Sequence, residues 1–154
     1  MFIGDEVRAE ASPAAAAARL ATLARGSSLT QASHAAWDTA TAAAGHIGPS
    51  PGLPRLTRVH SRGPAQRGTA AVLMLRWEVV VARDGQPFPA LDADITLVPG
   101  GEHAVLVSLT GVWRQPPGTR PGQPAAQAIA AAAIRGLLTR IAVAVSDPAG
   151  IRPS

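Results

Sequence analysis

Cysteine, lysine and tyrosine are absent from the 154-residue sequence, and aromatic residues make up only 3% of it. Without cysteine the chain forms no disulfide and offers no thiolate, and without tyrosine it has no phenol to serve as an acid. All 14 permanently charged basic residues are arginines. The isoelectric point of about 11.4 therefore reflects the lack of groups that titrate between histidine and arginine. Because the arginines are mostly scattered, this value does not predict binding to nucleic acid.

The composition, 47% hydrophobic and 16% charged, is typical of a globular protein. The length suits one domain, which we place at residues 1–147, followed by a short tail at residues 148–154. The first residues show no basic segment ahead of a long apolar one, and no stretch reaches the roughly 18 apolar residues of a membrane span. We therefore expect a cytoplasmic protein without a membrane span.

Hydrophobic periodicity predicts one strand, two short helices, four further strands and a long helix, in that order. Ser12 and Pro13 are typical of a helix start, with serine as the N-cap and proline in the first helical position. The predicted ranges are about 2–12 for the first strand, 13–25 and 29–44 for the short helices, 55–62, 69–82, 90–98 and 103–114 for the later strands, and 124–146 for the long helix.

Glycine-containing turns between the three longer strands favour an antiparallel meander. The long helix must cover the apolar face of this sheet, since nothing else can bury the apolar stripe of the helix. The predicted fold class is α+β, with a curved antiparallel sheet wrapped around the C-terminal helix and two short helices after the first strand. Such an arrangement leaves an apolar space between sheet and helix, where a small molecule can bind.

Asp92 and Asp94 stand one residue apart among apolar residues, which raises the question of a catalytic carboxylate pair. Alternation along a strand places both on the face opposite to residues 91, 93, 95 and 97. Pairing through the predicted turns sets Arg76 opposite Asp94, and Asp94 opposite Ser108. The aspartates are therefore predicted on a polar outer face, and the apolar residues between them on the inner face.

Four short motifs are LRWE (75–78), PFPALDADITLVPGG (87–101), WRQPPG (113–118) and IGP (47–49). Together they resemble a group of actinobacterial proteins of the SRPBCC, or START-like, superfamily, which includes polyketide cyclase/dehydrase-type and lipid-transfer proteins. The resemblance covers roughly residues 1–147. It implies a helix-grip fold with an apolar cavity and specifies no reaction. Where such proteins often carry a Tyr-Gly-Glu-Gly-like run, this chain has Trp37-Asp38-Thr39-Ala40, which argues against a function that needs tyrosine or glutamate there.

The predicted ligand-binding residues are apolar side chains of the inner face, the second helix and the long helix. Trp77 and Trp113 are rigid surfaces on which a planar ligand could stack, unless they simply fill the core. The full set is Trp37, Leu75, Trp77, Ala93, Ile95, Leu109, Trp113, Ala133 and Leu137.

Few groups are available for catalysis. His34, Trp37 and Asp38 share one face of the second helix, where a histidine and a carboxylate can form an acid–base pair or an ordinary surface contact. His46 begins a loop rich in glycine and proline, near the expected entrance. The catalytic candidates are thus His34, Asp38 and His46. No two histidines have a ligand spacing, so neither a metal nor another cofactor is expected.

Three functions are compatible with these residues. The first is binding of a small hydrophobic molecule, lipid- or polyketide-like, in the apolar cavity. The alternative is a cyclase or dehydratase that uses the same cavity and needs an ionisable group inside it. The third is a partner-binding module, which predicts a collapsed cavity and an exposed apolar or arginine-rich patch around residues 55–67.

Overall fold

The computed structural model describes residues 1–44, 54–81, 85–115 and 124–148. The elements follow the order that the periodicity predicts. They are β1 (Phe2–Ala9), α1 (Pro13–Arg25), α2 (Ser28–Ala43), β2 (Arg55–Arg67), β3 (Ala70–Val80), β4 (Phe88–Pro99), β5 (Val105–Trp113) and α3 (Pro124–Val145). The main departure is β2, which continues five residues beyond its predicted end at Arg62. The tail lies outside the described residues except for its first residue, Pro148.

The two short helices differ in how their ends are held. At the start of α1, the hydroxyl of Ser12 accepts a hydrogen bond from the backbone N–H of Ala15 at 3.3 Å, and Pro13 occupies the first turn. At the start of α2, Ser27 makes no capping hydrogen bond with its side chain, and neither end of α2 carries a residue that offsets the helix dipole. Helix α2 therefore depends on packing more than α1 does.

The described strands form one five-stranded antiparallel sheet in the order β1-β5-β4-β3-β2. Its two faces are those that alternation predicts, because the apolar positions of β3, β4 and β5 are buried together. The largest of these inner side chains, each at most 2% exposed, are Leu73, Leu75, Trp77, Leu91, Ile95, Leu109 and Trp113.

The predicted register is wrong by two residues in both hairpins of the meander. Arg76 pairs with Asp92 rather than Asp94, and Asp94 pairs with Thr110 rather than Ser108.

In the second hairpin the last pair is Pro99 with Val105, so the connection is longer than the predicted three-residue turn. In the first hairpin an irregularity interrupts the ladder beside Trp77. Because both errors are even-numbered, each residue stays on its predicted face.

Strands β4 and β5 approach each other unusually closely at Gly111, which pairs with Ala93. A Cβ atom added to Gly111 would overlap the carbonyl oxygen of Asp92 and lie 2.6 Å from Cα of Ala93. No side chain fits at such distances, and the nearest atoms belong to backbone that cannot rotate away. Glycine at this position thus permits the close approach of two strands within the curved sheet.

Helix α3 crosses the inner face and is fixed by polar contacts to β1 and α1. The guanidinium of Arg135 donates a hydrogen bond to the carboxylate of Asp5 at 2.6 Å. Arg19 of α1 donates to the carbonyl of Val145 at 3.0 Å and to the carboxylate of Asp147 at 2.9 Å. These contacts tie the C-terminal helix to the first two elements and complete a helix-grip arrangement.

One described segment, Gln127–Val145 in α3, is long and apolar enough to cross a membrane by length and composition alone. Half of this segment is buried within the protein. Its buried side chains include Ile134, Leu137 and Ile141, which belong to the same core as the inner face of the sheet. This extent of burial is typical of a helix that packs in the core of a protein.

Candidate functional site

Three tryptophans from three different elements meet between the sheet and the helices. Trp37 of α2 has its ring centre 6.0 Å from that of Trp77 on β3, at an angle of 87°, and 6.0 Å from that of Trp113 on β5, at an angle of 25°. All three are nearly or fully buried. Edge-to-face and stacked contacts at this separation are favourable aromatic geometries. We call Trp37, Trp77 and Trp113 the tryptophan cluster.

The indole N–H groups of Trp77 and Trp113 differ in their hydrogen bonding. Trp77 Nε1 donates a hydrogen bond to the hydroxyl of Ser33 at 3.2 Å. Ser33 is fully buried and is the one buried polar side chain of the described core. Trp113 Nε1 is also buried but has no hydrogen-bond partner in the described part of the chain. Of the indole donors of the two sheet tryptophans, one is therefore satisfied within the described residues and the other is not.

The predicted ligand-binding residues all lie in the core. Trp37, Leu75, Ala93 and Trp113 are between 2% and 8% exposed. The others, Trp77, Ile95, Leu109, Ala133 and Leu137, are completely buried. Over the described residues, these side chains thus all belong to the interior between sheet and helices, and their role in binding stays a prediction.

The catalytic candidates are not brought together at the tryptophan cluster. His34 is half-buried, whereas Asp38 is exposed, and the described structure shows no hydrogen bond between the two side chains. The inner face of α2 is formed by Ser33, Trp37 and Ala40. His34 and Asp38, which the sequence groups with Trp37, are less buried than Trp37. His46 lies outside the described residues, and catalysis by any of the three stays untested.

The outer face of the sheet carries an open groove of about 620 Å³ across β2 to β5. His60, Glu78, Asp92 and Asp94 are among its lining residues. Along β4 the two aspartates are less buried than the apolar residues that alternate with them, which confirms their outward orientation. The carboxylate of Asp92 accepts hydrogen bonds from Arg76 at 2.9 Å and from Arg114, and His60 contacts Glu78 at 3.2 Å. These paired groups satisfy one another across the strands and do not converge on an empty point.

The two arginines lower the pKa of Asp92 below its ordinary value of 3.8, the hydrogen bond from Arg114 having the largest effect. A carboxylate with a lowered pKa stabilises the folded state at neutral pH, and this contribution is lost as the pH falls through the folded-state pKa. We expect Asp92→Asn to flatten the dependence of unfolding free energy on pH below about pH 4. The change should not exceed about 1 kcal/mol because the ion pairs are partly solvated.

Denaturant unfolding of the wild type and the variant over a series of pH values measures this effect. Asp94→Asn is the matched control, since Asp94 lies on the same face and forms no ion pair with another described residue. Equal pH profiles for wild type and Asp92→Asn would show that the two arginines do not stabilise the folded state through Asp92.

No arrangement of three or more histidine, aspartate or glutamate side chains suited to a metal ion occurs among the described residues. Sequence reasoning also missed Ser33 and the unsatisfied indole of Trp113. Ser33 precedes Trp37 by one helical turn, so its place on the same face was available as a signal. The missing partner of Trp113 has no such signal, because it depends on which side chains surround the end of β5.

Comparison with protein-family models and with curated proteins yields no match. Among solved structures, TTHA0849 from Thermus thermophilus is 15% identical and aligns over 94% of this chain and 99% of its own, with a TM-score of 0.34. Norcoclaurine synthase from Thalictrum flavum, in complex with dopamine and hydroxybenzaldehyde, is 14% identical and aligns over 93% of this chain and 86% of its own, with a TM-score of 0.35. At such scores neither similarity carries an argument about function.

Proposed function

We propose that the protein binds a small hydrophobic molecule, lipid- or polyketide-like, in the place that the Trp37 side chain occupies. The observation that carries this proposal is the position of Trp37, whose ring contacts Trp77 and Trp113 from a separate element. If Trp37 moves away, it vacates a slot of aromatic size with a tryptophan of the sheet on two sides. A planar apolar ligand would replace the contacts that the Trp37 ring makes.

The construction of α2 supports a displacement of Trp37. The helix lacks a side-chain cap at its N-terminus and has no charged residue that offsets its dipole. Apart from Leu29 and Trp37, its buried side chains are small, namely Ser33, Ala36 and Ala40. Small side chains bury little apolar area, so moving the middle of α2 breaks fewer contacts than moving a strand or α3 would.

Such a site binds with an affinity reduced by the cost of opening. The apparent dissociation constant equals the intrinsic one divided by the fraction of molecules in which the slot is vacant. If the vacant form makes up about 1% of the population, the apparent affinity falls about 100-fold. The proposal therefore concerns a ligand whose apolar contacts offset the loss of the contacts between Trp37 and the sheet.

A cyclase or dehydratase in the same site would need an ionisable group beside the ligand. The polar groups buried in the described interior are the Ser33 hydroxyl and the tryptophan indoles. A hydroxyl and indole groups orient a ligand by hydrogen bonding, but they do not ionise near neutral pH and so do not supply an acid or a base. We therefore propose binding without a reaction.

A partner-binding module is the second candidate, and β2 is the observation that favours it. This edge strand exposes Arg55, Arg58, Arg62 and Arg67. Its ladder with β3 is interrupted twice, between Leu56 and Arg58 and again after Arg62. An interrupted edge resists the addition of another strand, so a partner would contact the arginine side chains and would carry negative charge.

Titration with naphthalene, a planar apolar probe, tests the first candidate. We expect one molecule to bind per chain, observed by native mass spectrometry, and a midpoint of thermal unfolding that rises with probe concentration. The indole N–H resonances of all three tryptophans should shift on binding. A protein that binds neither naphthalene nor any component of a lipid extract would contradict the proposed function and leave the partner-binding module.

A further inference from the structure

The buried indole N–H of Trp113 indicates which ligands the proposed site selects. Trp113 is 2% exposed, and its Nε1 has no acceptor among the described residues. Native structures leave few buried polar groups without a partner, and each exception calls for an explanation. The contrast with Trp77 is informative, because the donor of Trp77 is satisfied by Ser33 within the same cluster.

The main chain at this end of β5 is already engaged in hydrogen bonds of its own. The carbonyl of Trp113 accepts a hydrogen bond from the N-terminal ammonium of Met1 at 3.1 Å, and its N–H donates to the carbonyl of Met1 at 2.9 Å. The N–H of Arg114 donates to the carbonyl of Ala90 at 2.7 Å. The backbone is thus paired on both sides, whereas the side-chain donor has no partner in the described part of the chain.

We infer that the ligand carries a hydrogen-bond acceptor that binds Trp113 Nε1, and this inference rests on the proposed function. The acceptor is a neutral oxygen, as in a ketone, aldehyde, ether or alcohol. A carboxylate does not fit, because no arginine side chain is buried in the described core and an unpaired charge there is costly. The ligand class is therefore a planar apolar molecule with a neutral oxygen at one end.

A pair of probes that differ in one acceptor tests this inference. Naphthalene and 2-acetylnaphthalene share the aromatic rings, and only the second has a carbonyl oxygen. Calorimetric titration of the wild type and of Trp113→Phe with both probes gives four affinities. We expect Trp113→Phe to weaken binding of 2-acetylnaphthalene about 10-fold more than binding of naphthalene, which corresponds to one ordinary buried hydrogen bond.

The wild-type protein supplies a readout that does not depend on the stability of a Trp113 variant. The chain has three tryptophans, so its indole N–H groups give three resonances in a ¹⁵N-edited spectrum. Trp37→Phe and Trp77→Phe identify the Trp113 resonance by elimination. Formation of a hydrogen bond should place this proton further downfield in the complex with 2-acetylnaphthalene than in the complex with naphthalene.

The outcomes separate the two proposals. Binding of both probes with the same loss in Trp113→Phe, and with the same shift of the Trp113 resonance, would overturn the role of Trp113 while leaving the apolar site in place. Absence of binding for both probes and for every component of a lipid extract would overturn the proposed function and this inference together. A selective loss for 2-acetylnaphthalene with a selective downfield shift would support both.

Discussion

Trp37→Ala is expected to lower the free energy of unfolding by about 3 to 5 kcal/mol and, at the same time, to tighten binding of a planar apolar ligand. The loss of stability follows from the removal of a buried indole and its two aromatic contacts. The gain in affinity follows because the alanine variant no longer has to vacate the slot before the ligand enters. The two effects have opposite signs, which is unusual for a core substitution.

Denaturant unfolding and calorimetric titration with naphthalene measure the two effects separately. Leu29→Ala is the matched control, because Leu29 is buried on the same helix and lies outside the tryptophan cluster. Its loss should also destabilise the protein, by about 2 to 5 kcal/mol, but should leave the naphthalene affinity unchanged. An equal gain in affinity in both variants would attribute the effect to general loosening of α2 and contradict a specific slot.

Gly111→Ala is expected to destabilise the protein by about 3 kcal/mol or more, although it adds a single methyl group. The new Cβ would overlap the carbonyl oxygen of Asp92 and the backbone of Ala93. Relief of this overlap requires β4 and β5 to separate at a point where both contribute inner-face residues. Trp113 lies two residues further along β5, so the tryptophan cluster should also lose its present geometry.

Thermal and denaturant unfolding check this prediction, with a second glycine as control. A Cβ added to Gly136 of α3 would meet the Cβ of Ala36 at 3.4 Å, an ordinary contact. Alanine in a helix is favoured over glycine by about 1 kcal/mol, so Gly136→Ala should be neutral or stabilising. Equal effects at the two positions would show that β4 and β5 separate easily at Gly111.

The sequence was sufficient to predict the order of the elements and the face on which each residue of the meander lies. Both follow from periodicity, which is a local property. The register was not predictable, because it depends on how many residues the turns and irregularities absorb. The mispairing of Arg76 with Asp94 shows the difference, since the face is right and the partner is wrong by two residues.

The inner face of α2 was harder to predict for a physical reason. Most positions around Trp37 hold alanine, serine or threonine, and such a helix offers little contrast between an apolar and a polar side. Sequence reasoning therefore grouped Trp37 with His34 and Asp38. The structure instead groups Trp37 with Ser33 and Ala40, because the hydrogen bond from Trp77 and the aromatic contacts select that side.

The small residues between α2 and α3 determine how easily one helix can move along the other. Gly136 leaves only the width of a methyl group before Ala36, and Ala40 continues the same buried face of α2. Helices that meet through large side chains pack ridges into grooves, and sliding one helix along the other brings these side chains into steric clash. Glycine and alanine side chains at the contact between two helices interdigitate little, so one helix meets few steric clashes as it slides along the other. In the proposed function, we therefore expect α2 to shift along α3 and withdraw the Trp37 ring without first separating from α3.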